Sequence, residues 1–153
     1  MGPATVDLRP ATAADLPALI ALLADDPLGA ERETVADDLE PYRRALELID
    51  GDPAHVLVVA AASGVPVGTL QLSFLPGLAR RGALRAQIEA VRIRADHRGS
   101  GLGTAMFGWA LDESRRRGCG LVQLTTDRRR ADARRFYERS GFVASHDGMK
   151  LQL

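Results

Sequence analysis

The spacing of hydrophobic residues changes several times along the chain, and each change predicts a separate element. Leu19, Ile20 and Leu23 recur at helical spacing, whereas Leu70 and Leu72 alternate as in a strand with one buried face. The whole pattern predicts strand 6–10, helix 12–24, one broken or two short helices over 34–49, strands 55–62, 66–75 and 87–94, a helix after residue 101, strand 121–125, helix 128–140, and a closing hairpin of 143–146 with 149–153.

This order of elements predicts an α/β protein in which helices flank one mixed central sheet. A chain of 153 residues suits one domain with a substantial core. Apolar runs all fall well short of the roughly 18 residues that a membrane helix needs. The first ten residues lack the basic and apolar regions of a signal peptide, so we expect a cytoplasmic protein without membrane contacts.

Charge divides unevenly between the halves of the chain, although the formal net charge is zero. Residues 1–76 contain 4 Arg against 12 Asp and Glu, and residues 77–153 contain 15 Arg and 1 Lys against 8 acids. A basic half suits a polyanionic ligand and an acidic half suits an amine, unless the two sets of charges interleave on folding. Aromatic residues do not alternate with basic ones, which disfavours nucleic-acid binding.

Cysteine and histidine content disfavours disulfide and metal chemistry. Cys119 is the single cysteine, and the three histidines are scattered along the chain, so we expect no metal site. Cys119 stands between two glycines after a predicted helix, where a small buried side chain is a better interpretation than a nucleophile. His97 is interpreted as a residue that shapes its loop rather than as a base.

Glycines recur in the stretch from Asp96 to Thr104, which follows a predicted strand and precedes a predicted helix. Such a loop lets backbone N–H groups approach an anion at a helix N-terminus, although the same glycines also suit a tight turn. A Walker-type loop needs a lysine after its last glycine, but the only lysine is Lys150. In a dinucleotide-binding fingerprint the third glycine comes one position after Gly103, so that motif does not match either.

Two motifs together resemble those of the GNAT superfamily of N-acetyltransferases. Arg98, Gly101 and Gly103 match its Gln/Arg-x-x-Gly-x-Gly/Ala loop, and the segment RFYERSGF at 135–142 is similar to its helix ending in FYxxxGF. The two motifs stand in the family's order with a strand between them, which is more specific than either alone. The resemblance covers nearly the whole chain and implies a GNAT-like fold whose splayed strands surround the pantetheine arm of acetyl-CoA.

The resemblance also implies which residues bind acetyl-CoA, the acetyl donor. Val91, Arg92 and Ile93 correspond to the splayed strand whose free backbone groups bond the pantetheine arm at a β-bulge. The residues that correspond to the pyrophosphate loop are Arg98, Gly99, Ser100, Gly101, Leu102, Gly103 and Thr104. Arg130 replaces an asparagine that commonly contacts the cofactor arm, so that contact is either lost or exchanged for a phosphate contact. The other arginines of residues 128–135 are either 3′-phosphate contacts or solvated side chains.

Two catalytic roles follow from the same resemblance. Tyr137 corresponds to the residue whose hydroxyl protonates the departing CoA thiolate, and Glu89 to an acid that accepts, usually through water, the proton of the substrate ammonium. The alternative for Tyr137 is a core residue, since it lies at helical spacing with Phe136 and Ala133. The alternative for Glu89 is an ion pair with a neighbouring arginine. Strict alternation would place Glu89 on the same strand face as Val91, unless a bulge intervenes.

The implied activity is acetyl transfer from acetyl-CoA to a primary amine by direct attack in a ternary complex. The acidic residues of the segment 31–52 favour a small cationic acceptor over a protein lysine or N-terminus. The alternative from another class is a noncatalytic acyl-CoA-binding or regulatory module on the same fold. A homodimer is compatible with the chain, although no feature of the sequence indicates one.

Overall fold

Alternating apolar residues form a five-stranded sheet in the computed structural model, which describes residues 6–33 and 38–153. The strands, in spatial order, are β1 (Val6–Pro10), β2 (His55–Ala62), β3 (Val65–Leu75), β4 (Arg85–Ile93) and β5 (Leu121–Leu124). Strands β1 to β4 are antiparallel neighbours, and β4 and β5 are parallel. This arrangement confirms the predicted mixed sheet, in which the predicted strands 55–62 and 66–75 pair as an antiparallel hairpin.

Helices account for most of the remaining chain. They are α1 (Leu16–Ala24), α2 (Pro27–Arg32), α3 (Glu40–Asp50), α4 (Ala79–Gly82), α5 (Leu102–Arg116) and α6 (Ala131–Arg139), with 3-10 turns at Ala13–Asp15 and Ala95–His97. The predicted start of the first helix is confirmed, because Thr12 and Asp15 form a capping box. The short α4 is a left-handed turn, in which Arg80 and Arg81 have φ values of 55 and 61°.

Apolar side chains cover both faces of the sheet. On one face, a cluster built on β3, β4 and α5 contains the fully buried Leu70, Leu72, Ile88, Met106 and Phe107. On the other face, α1 packs against alternate residues of β2. The sheet therefore lies between α1 and α5, as the burial of both strand faces requires.

Two helix predictions need correction. The segment 34–49 was predicted to form one broken helix or two short ones, but its described part forms the single helix α3, with Pro41 in the first turn, where its missing N–H has no helical partner to lose. Residues 34–37, which the predicted helix included, lie outside the described residues. The six-residue α2 was not predicted, because it is too short to show a helical period. Among the described residues, no helix is long and apolar enough to cross a membrane.

The predicted closing hairpin is wrong for this structure. Residues 142–153 contain no strand, and the side chains of Val143, Met149 and Leu151 are exposed. An alternating pattern supplies a strand with one apolar face, but a hairpin is stable only when further strands or a helix cover that face. In this structure β5 is the edge of the sheet, and the C-terminal segment does not pair with it.

Candidate active site

Strands β4 and β5 begin as parallel neighbours and then separate. Their register pairs Arg85–Ile88 with Leu121–Leu124, after which β4 continues to Ile93 without a partner on that side. Glu89 is the first residue of β4 beyond the last pair. The structure thus contains the splayed strands that the family resemblance implied.

A β-bulge in β4 determines the face that each of its residues occupies. Ala90 has a φ of 52°, and the register with β3 shifts at this point. The extra residue reverses the alternation, so Glu89 and Arg92 lie on one face while Val91 and Ile93 pack against the core on the α5 side. The expectation from strict alternation, that Glu89 shares a face with Val91, is therefore wrong.

Backbone groups of the splayed part of β4 point into the opening. The amide of Arg94 donates to the carbonyl of Val67 in β3 at 2.8 Å. Backbone N–H and C=O groups alternate between the two edges of a strand, so those of the residue two positions before Arg94 also point toward β3. The N–H and C=O groups of Val91 and Ile93 consequently face the side from which β5 has diverged. These groups form an unpaired strand edge of the kind that an extended ligand can complete.

Arginine side chains donate hydrogen bonds to the two backbone carbonyl groups of this strand edge. Nη1 of Arg92 donates to the Val91 carbonyl at 2.8 Å, and Nε of Arg98 donates to the Ile93 carbonyl at 3.0 Å. The guanidinium of Arg98 also contacts Asp25, with Nη2 3.2 Å from Oδ2. Arg98 therefore ties the end of β4 to the segment between α1 and α2, as well as standing at the start of the glycine loop.

The glycine loop has the backbone that its sequence predicts. Gly99 and Gly101 have φ values of 74 and 86°, and Gly101 immediately precedes the first residue of α5. Positive φ values are strained for other residues, so these glycines allow the backbone amides to converge at the helix N-terminus. Ser100 stabilises the turn by donating its hydroxyl to the His97 carbonyl at 2.6 Å.

Three further loop residues have different roles. The side chain of Leu102 is buried, so only its amide can face a ligand in the loop. Gly103 allows a close approach of α5 to β4, because a Cβ there would lie 3.1 Å from Cδ1 of Ile93. Thr104 is exposed on the first turn of α5.

Tyr137 combines a packed ring with a hydroxyl near positive charge. Its ring centroid lies 5.4 Å from that of Phe107, 5.6 Å from that of Phe136 and 6.2 Å from that of Phe142. Burial raises the pKa of the Tyr137 hydroxyl, and the positive charges of Arg92 and Arg130 oppose that rise. The hydroxyl therefore remains protonated at neutral pH, as a proton donor must.

A carboxylate that the sequence did not identify lies between two predicted site residues. Asp26 binds Arg130 through two hydrogen bonds of 2.8 and 3.0 Å, and its Oδ2 lies 3.5 Å from Nε of Arg92. It also caps α2 by accepting the amide of Gly29 at 2.6 Å. Burial raises the pKa of Asp26, but the hydrogen bond from Gly29 and the pair with Arg130 outweigh it, so the pKa lies below its usual value.

Charges from the two halves of the chain interleave in this region, as the alternative interpretation of the charge split allowed. Asp127 pairs with Arg32 and Arg129, while Asp26 and Arg130 line a cleft of about 390 Å³ with residues of α2. The remaining arginines near α6 pair locally and are exposed: Arg128 with Asp147, Arg134 with Glu138 and Arg135 with Asp132. Those local pairs favour the solvated interpretation of these three side chains.

Glu89 is exposed beside the start of the opening. Its Oε1 accepts a hydrogen bond of 3.1 Å from Nε2 of Gln87, and within the described part of the chain it has no ion pair. The alternative interpretation of Glu89, an ion pair with a neighbouring arginine, is therefore not observed among the described residues. A carboxylate in this position is accessible to water, which a proton relay requires.

Cys119 and His97 have the non-catalytic surroundings that their sequence context predicted. Cys119 packs against the core, and burial raises the pKa of its thiol, which disfavours the nucleophilic thiolate. Nδ1 of His97 lies 2.8 Å from the Asp96 carboxylate within the 3-10 turn. Among residues 6–33 and 38–153, no group of three or more metal-binding side chains comes together.

Comparison with known protein families decides the assignment of this fold. The profile of the Acetyltransferase (GNAT) family matches residues 16–142, which include the splayed strands, the glycine loop and α6. The chain belongs to the GNAT family of acetyltransferases. The predicted fold and family are thereby confirmed.

Individual relatives differ in the functions that their names give. A transcriptional regulator from Bacillus halodurans, known from its crystal structure, has 43% sequence identity to this chain. The two structures superpose with a TM-score of 0.91, and the match covers 97% of this chain and 100% of the regulator. A putative acetyltransferase from Agrobacterium tumefaciens is 28% identical, with a TM-score of 0.83 over 96% and 99% of the two chains. The aminoalkylphosphonate N-acetyltransferase of Salmonella typhimurium is 37% identical over 60 residues, which span 39% of this GNAT chain and 39% of that protein.

Proposed function

We propose that this GNAT protein transfers the acetyl group of acetyl-CoA to the primary amine of a small molecule by direct attack in a ternary complex. The observation that carries the proposal is the unpaired edge of β4 beside a glycine loop and the tyrosine of α6. Backbone donors, a helix N-terminus and a neutral hydroxyl together suit an extended anionic thioester.

Donor binding follows from the exposed backbone groups. The amides of Val91 and Ile93 face the opening and can pair with the amide groups of a pantetheine arm as a further strand would. The amides of residues 99–104 converge at the start of α5, where the helix dipole favours the pyrophosphate. Arg98 adds a positive charge at the same end, although it also contacts Asp25.

The chemical step requires one proton acceptor and one proton donor. In the proposed mechanism the carboxylate of Glu89 accepts, through water, the proton that the attacking ammonium must lose. The amine then forms a C–N bond to the thioester carbonyl carbon, and the C–S bond breaks as the tetrahedral intermediate collapses. Tyr137 donates its hydroxyl proton to the departing thiolate, a role consistent with its raised pKa, and its oxygen regains, through water, the second proton that the nitrogen loses as the amide forms.

A small acceptor that enters as an ammonium cation is supported by two observations. Acidic residues are concentrated in the first half of the chain, and Glu31 lines the cleft beside Arg129 and Arg130. The Salmonella relative acts on an aminoalkylphosphonate, which is a small amine, but the similarity to it is restricted to part of both chains. A protein lysine or N-terminus remains the alternative acceptor to be compared directly.

A second candidate is a noncatalytic module that binds acyl-CoA and regulates a partner. It is favoured by the Bacillus halodurans relative, which covers 97% of this chain and is named a transcriptional regulator. The two candidates share the donor site and differ in whether an amine is consumed. Binding of acetyl-CoA therefore cannot distinguish them, whereas acceptor-dependent release of the thiol can.

The deciding experiment measures free thiol released from acetyl-CoA in the presence of small amines, a lysine-containing peptide and a peptide with a free N-terminus. Thioesters of increasing acyl chain length are compared in parallel, and acetyl-CoA binding is measured by calorimetry. Acceptor-dependent release with a small amine supports the proposed transferase. Tight acetyl-CoA binding without release for any acceptor contradicts it and supports the regulatory module.

A further inference from the structure

We propose that the acceptor amine also carries an acid group, a phosphonate or carboxylate, which binds the guanidinium of Arg92. This inference rests on the proposed amine acetylation, since it specifies the class of acceptor. The acceptor would then be an amino acid or aminophosphonate in the broad chemical sense, with its amine and its acid at opposite ends of a short alkyl chain.

The first observation is an unsatisfied donor on Arg92. Its side chain is 19% exposed, and Nε is the one buried side-chain nitrogen or oxygen of the described residues that lacks a hydrogen-bond partner. The nearest carboxylate oxygen, Oδ2 of Asp26, is 3.5 Å away and already accepts from Arg130. A buried charged donor without a partner is costly, so the site favours an additional acceptor.

The second observation is an excess of positive charge around the carboxylates of Asp26 and Asp127. Arg92 and Arg130 both face Asp26, and Arg32 and Arg129 both pair with Asp127. Four guanidinium groups are thus offset by two paired carboxylates, with Glu31 at the exposed rim. Burial and the nearby charge of Arg130 lower the pKa of Arg92, and the charge of Asp26 opposes this change only in part.

The third observation is the distance along β4 between Arg92 and Glu89, the proposed proton acceptor. The bulge at Ala90 puts Arg92 on the same face of β4 as Glu89. Three residues of strand, shortened by the bulge, span about 7 to 10 Å. When about 3 Å is assigned to each polar contact, a short alkyl chain fills the remainder. An acceptor bound in this way would direct its amine toward Glu89.

The geometry also separates this site from the proposed pyrophosphate site. The pyrophosphate is assigned to the backbone amides before α5, whereas Arg92 projects from the face of β4 opposite to Val91 and Ile93. Substitution of Arg92 should therefore change the preference between acceptors, whereas its effect on acetyl-CoA is restricted to the Val91 carbonyl that Nη1 releases. That difference provides the test.

The experiment compares kcat/KM for 2-aminoethylphosphonate and 3-aminopropanoate with kcat/KM for n-propylamine and 1,2-diaminoethane. The parent protein should prefer the acid-bearing amines at least about tenfold, as expected for hydrogen bonds between charged groups. Arg92→Gln should remove most of this preference through KM, Arg92→Lys should keep part of it, and acetyl-CoA affinity should change less than about twofold. Arg115→Gln serves as the control, because it also removes one guanidinium group, but Arg115 is exposed on α5 and pairs with Asp112.

Equal or better use of n-propylamine or 1,2-diaminoethane by the parent would overturn the inference and leave the acetyltransferase proposal intact. An equal loss of preference in Arg92→Gln and Arg115→Gln would also overturn it. If no amine is acetylated, the proposed function fails. Methylphosphonate, which cannot be acetylated, then tests the anion site alone: thermal stabilisation that Arg92→Gln removes supports the site, and none for the parent contradicts it.

Discussion

Arg130 and Asp26 are 104 positions apart in the chain, and their side chains are joined by two hydrogen bonds of 2.8 and 3.0 Å. Both side chains are about four-fifths buried, with 23% and 21% of their surface exposed. Arg130 immediately precedes α6, and Asp26 caps α2. The pair therefore fixes the start of one helix against the start of the other, beside the proposed active site.

The stability of this pair can be measured with a double-mutant cycle of Asp26→Asn and Arg130→Gln. We expect a coupling energy of about 1 to 2 kcal/mol in urea unfolding, because the pair is bidentate and shielded from water. The exposed pair of Arg134 and Glu138 is the matched control, for which about 0.3 to 0.5 kcal/mol is expected. Equal coupling in the two cycles would show that Asp26 and Arg130 do not hold the helices together.

Tyr137→Phe should lower kcat about 100-fold, because it removes the proposed proton donor while preserving the ring that packs against Phe107. Acetyl-CoA affinity, measured by calorimetry, should change less than about twofold. The control is Tyr42→Phe, which removes the other tyrosine hydroxyl of the chain, a group that donates to Glu33. Unchanged turnover of the Tyr137 variant would exclude this hydroxyl from the mechanism.

Glu89→Gln should reduce kcat/KM and change its pH profile, because the amide cannot accept the proton of the attacking ammonium. The amide keeps the size of the side chain. Glu40→Gln removes an exposed acid of α3 and should leave the profile unchanged. Superimposable pH profiles for the Glu89 variant and the parent protein would exclude Glu89 as the base.

Much of this architecture could be predicted from short-range sequence patterns. The nearly continuous apolar run of β2, the alternation in β3 and the glycines before α5 each specify a structure that depends mainly on neighbouring residues. The two family motifs then placed Tyr137 on a helix that follows β5. These predictions succeeded because periodicity and glycine conformation are local properties of the chain.

The missed features depend on contacts or conformations that leave no local signal. Asp26 lies far from Arg130 in sequence, and its helix is too short to show periodicity. The family resemblance implied a bulge in this strand, but its position at Ala90, a residue that does not favour a positive φ, leaves no local signal, so the face of Glu89 could not be assigned. The C-terminal segment has the pattern of a strand, but pairing depends on a neighbour rather than on the pattern itself.

Two glycines of α5 allow a comparison within one helix. A Cβ at Gly103 would lie 3.1 Å from Cδ1 of Ile93 and 3.5 Å from Cζ of Phe136, whereas a Cβ at Gly108 would meet nothing within 4 Å. Gly108→Ala should therefore stabilise the protein by about 0.5 to 1 kcal/mol through helix propensity. The change in stability for Gly103→Ala should be at least about 1 kcal/mol less favourable than that for Gly108→Ala, since the close contact of the new Cβ with Ile93 offsets the gain in helix propensity.

Urea unfolding at pH 7 measures both substitutions at Gly103 and Gly108, and calorimetry measures their acetyl-CoA affinity. Gly103→Ala should also weaken acetyl-CoA binding, because the displaced helix carries the amides of the proposed pyrophosphate loop. Equal stabilisation by both substitutions, with equal affinity, would show that close packing at Gly103 is not required.

The buried ion pair of Arg9 and Asp15 provides a pH-dependent contribution to stability away from the site. Asp15 is 7% exposed and receives hydrogen bonds of 2.7 and 2.8 Å from Arg9, besides one from the amide of Thr12. The hydrogen bonds from Arg9 are the main cause that lowers the pKa of Asp15 to about 2, despite the opposing effect of burial. A pKa below the ordinary value of 3.8 means that folding favours the charged form.

The stabilisation from Asp15 is therefore complete above about pH 5 and declines as the pH falls toward the folded-state pKa. Asp15→Asn should cost about 2 kcal/mol at pH 7 and about half as much at pH 3, as measured by urea unfolding at several pH values. Asp112→Asn, which removes an ion pair whose two side chains are more than 70% exposed, should cost less than about 0.5 kcal/mol at either pH. A cost for Asp15→Asn that is the same at pH 7 and pH 3 would mean that its charge does not stabilise the fold and that the residue acts only through its neutral hydrogen bonds to the start of α1.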